Sequence, residues 1–261
     1  FSWACRTLPR QARQDVATIY AMVRVADEVV DGVAVAAGLD EAGVRAALDD
    51  YERACEAAMA SGFATDPVLH AFADVARRHG ITPELTRPFF ASMRADLGIR
   101  EHGAESLDAY IHGSAEVVGL MCLQVFLSLP GTRARTPGQR QELRAQASRL
   151  GAAFQKVNFL RDLGEDSREL GRAYLGPTLD EDLKRTLTGE IDAELRLART
   201  AIPLLPVPAR RGVAAAEALF RDLNERIAAT PAADVATTRV SVPNHRKLVL
   251  TARALKKAAR Q

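Results

Sequence analysis

Cysteine is scarce, aromatic residues are few, and phosphate-cradling glycine loops are missing; each shortage removes a class of protein. Cys5, Cys55 and Cys122 are the only cysteines, widely separated and odd in number, so neither a C-x-x-C centre nor a closed disulfide framework is available. A reducing cytoplasm is the simpler setting. Aromatic residues make up 5% of the chain and never interleave with basic ones, and the net charge is only +2, so no nucleic-acid partner is expected. No P-loop or G-x-G-x-x-G appears, and the five histidines show no H-E-x-x-H spacing. No apolar run is read as approaching the ~18 residues that span a bilayer. No charged-then-apolar leader is read at the start, and Phe1 in place of methionine suggests that N-terminal sequence is missing.

What remains is rich in Ala, Leu, Arg and Val, a balance that favours helices over sheets. Apolar residues recur in steps of three and four from Ala12 to Val33, at Val16, Ile19, Val23, Ala26 and Val30. The same period runs from Asp40 to Met59. Asp66-Pro67 reads as a cap and first helical residue, with His79-Gly80 as the stop and Thr82-Pro83-Glu84 as the next start. Further helices are predicted over Ser106–Ser128, Pro137–Gly164, Asp180–Leu205, Ala209–Ala229 and Pro243–Ala259. No strand alternation or repeat of fixed length is visible. The expectation is a single all-α domain over residues 1–261.

Two segments carry chemistry. Tyr20, Arg24, Asp27 and Asp31 are spaced by four, three and four. At about 100° per residue they share one helical stripe beside an apolar one. Gln155, Asn158, Asp162 and Asp166 repeat the pattern, flanked by Arg161 and Glu165. A lone D-x-x-x-D is usually solvated charge, and like charges four apart cost a helix a few tenths of a kcal/mol (about 0.2–0.5). Two such pairs, each in phase with an arginine or amides on an otherwise apolar helix, point to a bound cation instead. The donors are all hard oxygens, which suit Mg2+ rather than zinc. Cations between two carboxylate faces would neutralise a departing diphosphate, and an apolar enclosure would protect the allylic carbocation left behind.

These residues resemble the squalene and phytoene synthases, which join two prenyl diphosphates head to head. Phe1-Ser2-Trp3-Ala4 through Leu8-Pro9 is similar to the family's opening. Tyr20–Asp31 resembles its first aspartate motif, and Asn158-x-x-Arg161-Asp162-x-x-Glu165-Asp166 its second. Gly171–Leu175 and the basic stretch Arg239–Leu248 resemble later segments. The resemblance implies an isoprenoid-synthase helical bundle with a central cavity. It also implies that Asp27, Asp31, Asn158, Asp162 and Asp166 hold Mg2+, with Mn2+ as a substitute. Arg24, Gln155, Arg161, Arg239 and Lys247 would grip diphosphate, and Ser2, Tyr20 and Tyr174 would line the reacting end. Tyr20, Arg24 and the four aspartates form the implied catalytic set.

Three positions and one segment depart from the family pattern, the segment being the stretch after Tyr174, which reads as shorter than usual with Gly176-Pro177 in place of an immediate proline. His112 stands where many members have tyrosine, Glu116 where they have glycine, and Ala233 where a tyrosine is frequent. His112 is read either as facing the cavity or as a satisfied interior histidine. The wording around Gly113–Met121 and Arg239–Pro243 implies phytoene synthase: two geranylgeranyl diphosphates condensed through a cyclopropylcarbinyl diphosphate, without NADPH. The runner-up is squalene or dehydrosqualene synthase acting on farnesyl diphosphate. A terpene cyclase and a non-catalytic relative serving as an assembly factor complete the alternatives. The implied seat is cytoplasmic, with the basic C-terminal end able to rest on the inner face of an anionic membrane. Oligomeric state is not legible.

Overall fold

The computed structural model describes residues 2–98, 104–129, 135–165 and 179–258, and the described residues contain helices and no strands. In chain order the main helices are α1 (Ser2–Cys5), α2 (Arg10–Val30), α3 (Val33–Ala36), α4 (Glu41–Ser61), α5 (Pro67–His79) and α6 (Pro83–Ala95). They continue with α7 (Ala104–Ile111), a π-helical turn (His112–Glu116), α8 (Val117–Leu127), α9 (Pro137–Glu165) and α10 (Glu181–Thr200). A 3₁₀ turn (Ile202–Leu204), α11 (Val207–Ala229), α12 (Ala232–Val235) and α13 (Asn244–Ala258) complete the order.

Local chemistry sets several boundaries where the sequence placed them. The Asp66 side chain accepts a hydrogen bond from the Leu69 amide at 2.8 Å, Pro67 occupies the first turn, and Gly80 closes α5 in the left-handed region. Asp40 and Asp180 cap α4 and α10 in the same way. The stretch expected as one helix to Leu205 ends at Thr200 instead, because Pro203 has no amide to donate and the chain tightens into a 3₁₀ turn.

One expectation is corrected. The continuous helical run Glu105–Leu127 is long and apolar enough to cross a membrane by length and composition, with a mean hydropathy of 1.4 over its best window. Residue-by-residue reading missed it because His112 and Glu116 interrupt the apolar string. In the fold this run is a central helix. Gly119 and Gly151 let it lie directly against α9: a Cβ added at Gly119 would stand 2.8 Å from the Ala147 carbonyl oxygen, and one at Gly151 2.6 Å from that of Ala115.

Two apolar clusters form on either side of this contact. One joins α2, α4, α5, α6 and α8 around Ile19, Met22, Leu48, Phe72 and Phe90, all essentially inaccessible. The other joins α9, α10 and α11 around Val157, Leu160, Ile191, Leu195 and Ile227. A cavity remains between them.

Candidate active site

The cavity measures about 330 Å³ and takes its walls from α1, α2, the π turn, α8, α9, α10 and α11. Its lining is mostly apolar: Val16 and Val23 from α2, Leu123 and Phe126 from α8, and Leu150 and Phe154 from α9. Phe154 stacks on Phe220 with ring centroids 3.8 Å apart, closing one wall with two aromatic faces. A volume of this order falls within the range of small-molecule sites, roughly 300–1,000 Å³.

Polar groups enter from few places. On α2, Tyr20 lines the cavity one turn beyond Val16; on α9, Gln155 and Asn158 line it just beyond Phe154. Both helices therefore bring polar groups to the wall of the same cavity. Both then carry an acidic turn: Asp27 and Asp31 after Tyr20, Asp162 after Asn158. Asn158 buries its Oδ1 without a hydrogen-bond partner, as do Ser114 Oγ and Gln146 Oε1 on other parts of the wall. Buried polar atoms are nearly always satisfied, so an orphan oxygen beside an acidic turn is the kind of donor a hard cation completes.

The aspartates themselves are dressed by cations. Arg24 forms ion pairs with Asp27 and with Glu28. Asp162 Oδ1 accepts from Arg161 Nε at 2.9 Å, and Arg239 Nε stands 3.1 Å from the same oxygen. Asp31 is the C-cap of α2, its amide donating to the Asp27 carbonyl at 2.9 Å, so Asp27 and Asp31 remain one turn apart at the end of that helix. Among the described residues, no group of three or more His, Cys, Asp or Glu side chains is close enough to hold a metal by itself. Asp166 and Tyr174 fall outside the described residues, as does the Ser2 side chain.

The sequence-predicted residues thus divide. Tyr20, Gln155 and Asn158 are brought to one cavity; Asp162, Arg161 and Arg239 to one ion-pair group; Arg24 and Asp27 to another. Lys247 is brought to none of these. It sits on α13, 3.5 Å from Asn244 Oδ1. His112 lies beside a different cavity of about 340 Å³, with Glu84, Gln124 and Arg144, and its Nδ1 is 3.0 Å from Glu116. Those two side chains satisfy each other where the helix bulges into its π turn, while Ser114 and Ala115 of the same turn face the main cavity.

Sequence reasoning expected Ser2 of α1 at the reacting end but missed its neighbours Ala4 and Cys5, and it missed α11 altogether. Ala4 and Cys5 line the cavity, as do Gly212, Val213, Ala216 and Phe220. Small residues in α11 could have signalled a close helix approach. Nothing local marks Phe220 as a wall residue. Burial pushes the Cys122 thiol up to about 12, with the neighbouring Cys5 adding to it, so the thiols here are neutral lining groups.

Comparison with known proteins accords with this geometry. The profile of the squalene/phytoene synthase family matches residues 1–179. The phytoene synthase of Arthrospira platensis is 33% identical over 182 residues, covering 67% of this chain and 56% of that protein. The 15-cis-phytoene synthase of Paracoccus sp. is 28% identical over 245 residues, covering 87% of this chain and 77% of that protein. The matched region spans about half the length of several such relatives. In fold, the chain superimposes on a dehydrosqualene synthase solved in complex with ligand at a TM-score of 0.79, with 21% identity over 99% of this chain and 91% of that one. A squalene synthase from Alicyclobacillus acidocaldarius gives 0.71, with 22% identity and 88% and 89% coverage. The helical bundle is therefore the isoprenoid-synthase fold, and the chain belongs to the squalene/phytoene synthase family, whose members are prenyltransferases.

Proposed function

We propose that this protein condenses two molecules of geranylgeranyl diphosphate head to head to give phytoene. The observation that carries the reading is a single apolar cavity whose polar residues, Tyr20, Gln155 and Asn158, sit next to two acidic turns bearing Asp27 and Asp162. The apolar walls would hold the prenyl chains and keep water from an allylic cation. Tyr20, at the junction of apolar and acidic surface, would stand nearest the reacting carbons. Arg24, Arg161 and Arg239 already neutralise carboxylates at that end, and each would exchange part of this pairing for diphosphate oxygens.

Asp27, Asp31, Asn158, Asp162 and Asp166 would hold Mg2+, or Mn2+ in its place. Bound there, the metal would neutralise charge building on the leaving diphosphate. The residues fit such an ion by type: all are hard oxygen donors, and the Asn158 Oδ1 has no competing partner.

The preference for geranylgeranyl diphosphate rests on the phytoene synthase relatives and on the motif wording. One observation favours a second reading: the 4,4'-diapophytoene synthase of Staphylococcus haemolyticus is 26% identical over 74% of this chain. Acting on farnesyl diphosphate would need only a shallower cavity, and a hydrophobic wall discriminates weakly, by about 1–3 kcal/mol per methylene. Purified protein incubated with each diphosphate, with Mg2+ and with or without NADPH, decides between them. Phytoene from the longer substrate, independent of NADPH, is the expected product; squalene or dehydrosqualene from the shorter one overturns the chain-length assignment. Substrate and product of either kind are lipids, which suits a peripheral seat at a membrane.

A further inference from the structure

One polar atom in the cavity wall belongs to none of the chemistry described above. Gln146 is 6% exposed and lines the cavity, and its Oε1 meets no donor among the described residues. Its Nε2 donates at 2.7 Å to Oε1 of the exposed Glu142, one turn earlier on α9. A carboxylate only accepts, so this bond settles which end of the amide is nitrogen and leaves the oxygen as the unpaired end. That oxygen is sealed from bulk solvent, and its route to a donor lies through the cavity that the same side chain lines. Buried carbonyl oxygens are nearly always satisfied, by ordered water where no protein group serves.

Position gives the atom a role. Helix α9 follows the cavity wall from Leu143 through Gln146, Leu150 and Phe154 to Asn158, in steps of three and four that keep one face inward. At about 1.5 Å per residue, Gln146 lies about 18 Å from Asn158, and Leu143 about 4.5 Å further on. The acidic end of the cavity is therefore out of reach of Gln146, but a prenyl tail is not. An extended isoprene unit, four main-chain bonds of about 1.5 Å in zigzag, advances about 5 Å. Four units starting at the level of Asn158 end beside Gln146, and a fifth would fill the last turn of the cavity, up to Leu143.

We propose that Gln146 is the length stop of the cavity: its amide oxygen, with a water molecule that satisfies it, closes the last turn to hydrocarbon and sets the limit at four isoprene units. This limit rests on reading the cavity as a prenyl-diphosphate site. A tail of four units leaves the water in place. A fifth unit has to expel it and leave a buried oxygen without a donor, a loss that no methyl or alkene group makes good. An apolar floor alone would discriminate more weakly, because hydrophobic walls yield to an extra methylene more readily than a buried polar group yields its hydrogen bond.

The test is calorimetric binding of the non-hydrolysable farnesyl, geranylgeranyl and geranylfarnesyl thiolodiphosphates to the full chain with Mg2+, beside product analysis from the matching diphosphates. The parent should bind the geranylgeranyl analogue about tenfold more tightly than the geranylfarnesyl one. Q146L and Q146M put hydrocarbon of similar volume in place of the amide. Both should make those two affinities nearly equal and leave that of the farnesyl analogue unchanged. E142A lies outside the cavity and releases the amide nitrogen, so the amide can turn, and it should relax the ratio several-fold. Should the leucine variant fold poorly, the methionine variant and E142A give the same readout. An unchanged ratio in the Gln146 variants, or an equal gain for all three analogues, overturns the length stop while the proposed reaction stands. So does a parent that binds the geranylfarnesyl analogue as tightly as the geranylgeranyl one. A folded parent that binds none of the three overturns the prenyl-diphosphate reading and the length stop with it.

Discussion

Arg239 Nε stands 3.1 Å from Asp162 Oδ1, joining the segment before the last helix to the aspartate in the middle of α9's acidic turn. Asp162 is also held by Arg161, so one carboxylate, with a side chain 18% exposed, faces two guanidinium groups. A diphosphate entering this end would meet both guanidinium groups. Arg239→Ala should therefore raise KM for the diphosphate by roughly tenfold or more while leaving the fold intact, the size of a lost charge-assisted contact of about 1.5–3 kcal/mol. Steady-state kinetics of the variant beside Arg239→Lys checks it, with the lysine expected to recover only part of the loss because it lacks the planar fork.

Asp27→Ala and Asp162→Ala should each abolish turnover, by about 10²-fold at the least, because the preorganised charge opposite the leaving group would be gone. Neither side chain is part of the apolar core, so the melting temperature and helical signal should stay close to those of the parent. Chelation should silence the parent enzyme, and added Mg2+ or Mn2+ should restore it. Near-normal rates in either variant would refute the metal assignment.

Asp15, 3% exposed on α2, accepts from Arg78 Nη2 at 2.8 Å, from Gln11 at 3.0 Å and lies 2.9 Å from His79 Nε2, whose Nδ1 meets Ser128. This group ties α2, α5 and the end of α8 together. Burial works against its charge, but the bonds from Arg78 and His79 outweigh that and hold the carboxyl below its ordinary range. With the folded-state pKa below the unfolded one, the stabilisation is complete above the unfolded value near ~4 and is lost as pH falls through the lower folded value. Asp15→Asn should cost about 3 kcal/mol in urea unfolding at neutral pH and flatten the acid limb of the stability profile.

The thiols report on closure of the core. Burial, then the nearby Glu56 and Glu52 carboxylates, push Cys55 up to about 12; Cys122 reaches the same range through burial and Cys5. At pH ~8 such thiols carry roughly a thousandfold fewer thiolates than a free cysteine. Alkylation followed by mass spectrometry should find both residues protected in the native protein and reactive in urea. Fast native labelling of Cys122 would mean that the cavity wall opens.

Gly151 tests the helix contact that shapes the cavity. A Cβ there would lie 2.6 Å from the Ala115 carbonyl oxygen and 3.1 Å from Glu116 Cα, both backbone atoms that cannot swing away. Gly151→Ala should destabilise the protein by about 1–3 kcal/mol. It should also lower activity more than an alanine placed at the open Gly189 of α10, where a Cβ meets nothing within 4 Å.

Much of this was legible from local pattern. Spacings of three and four marked the helices, Asp66-Pro67 and Gly80 bounded α5, and the two acidic stripes drew attention to Tyr20, Asn158 and Asp162. Such signals survive without tertiary information because capping, backbone restriction and same-face spacing act within a turn or two. They could not tell which stripe residues share a cavity, because that depends on how α2 and α9 are set on either side of α8. Packing alone turned the apolar run around Val117–Leu127 into a core helix, paired Arg239 with Asp162, kept Lys247 and His112 away from the main cavity, and left Leu248 and Val249 facing outward. Side-chain chemistry selects the helices and their faces within one element, whereas a site is a relation between elements, and only close packing of the whole chain sets it.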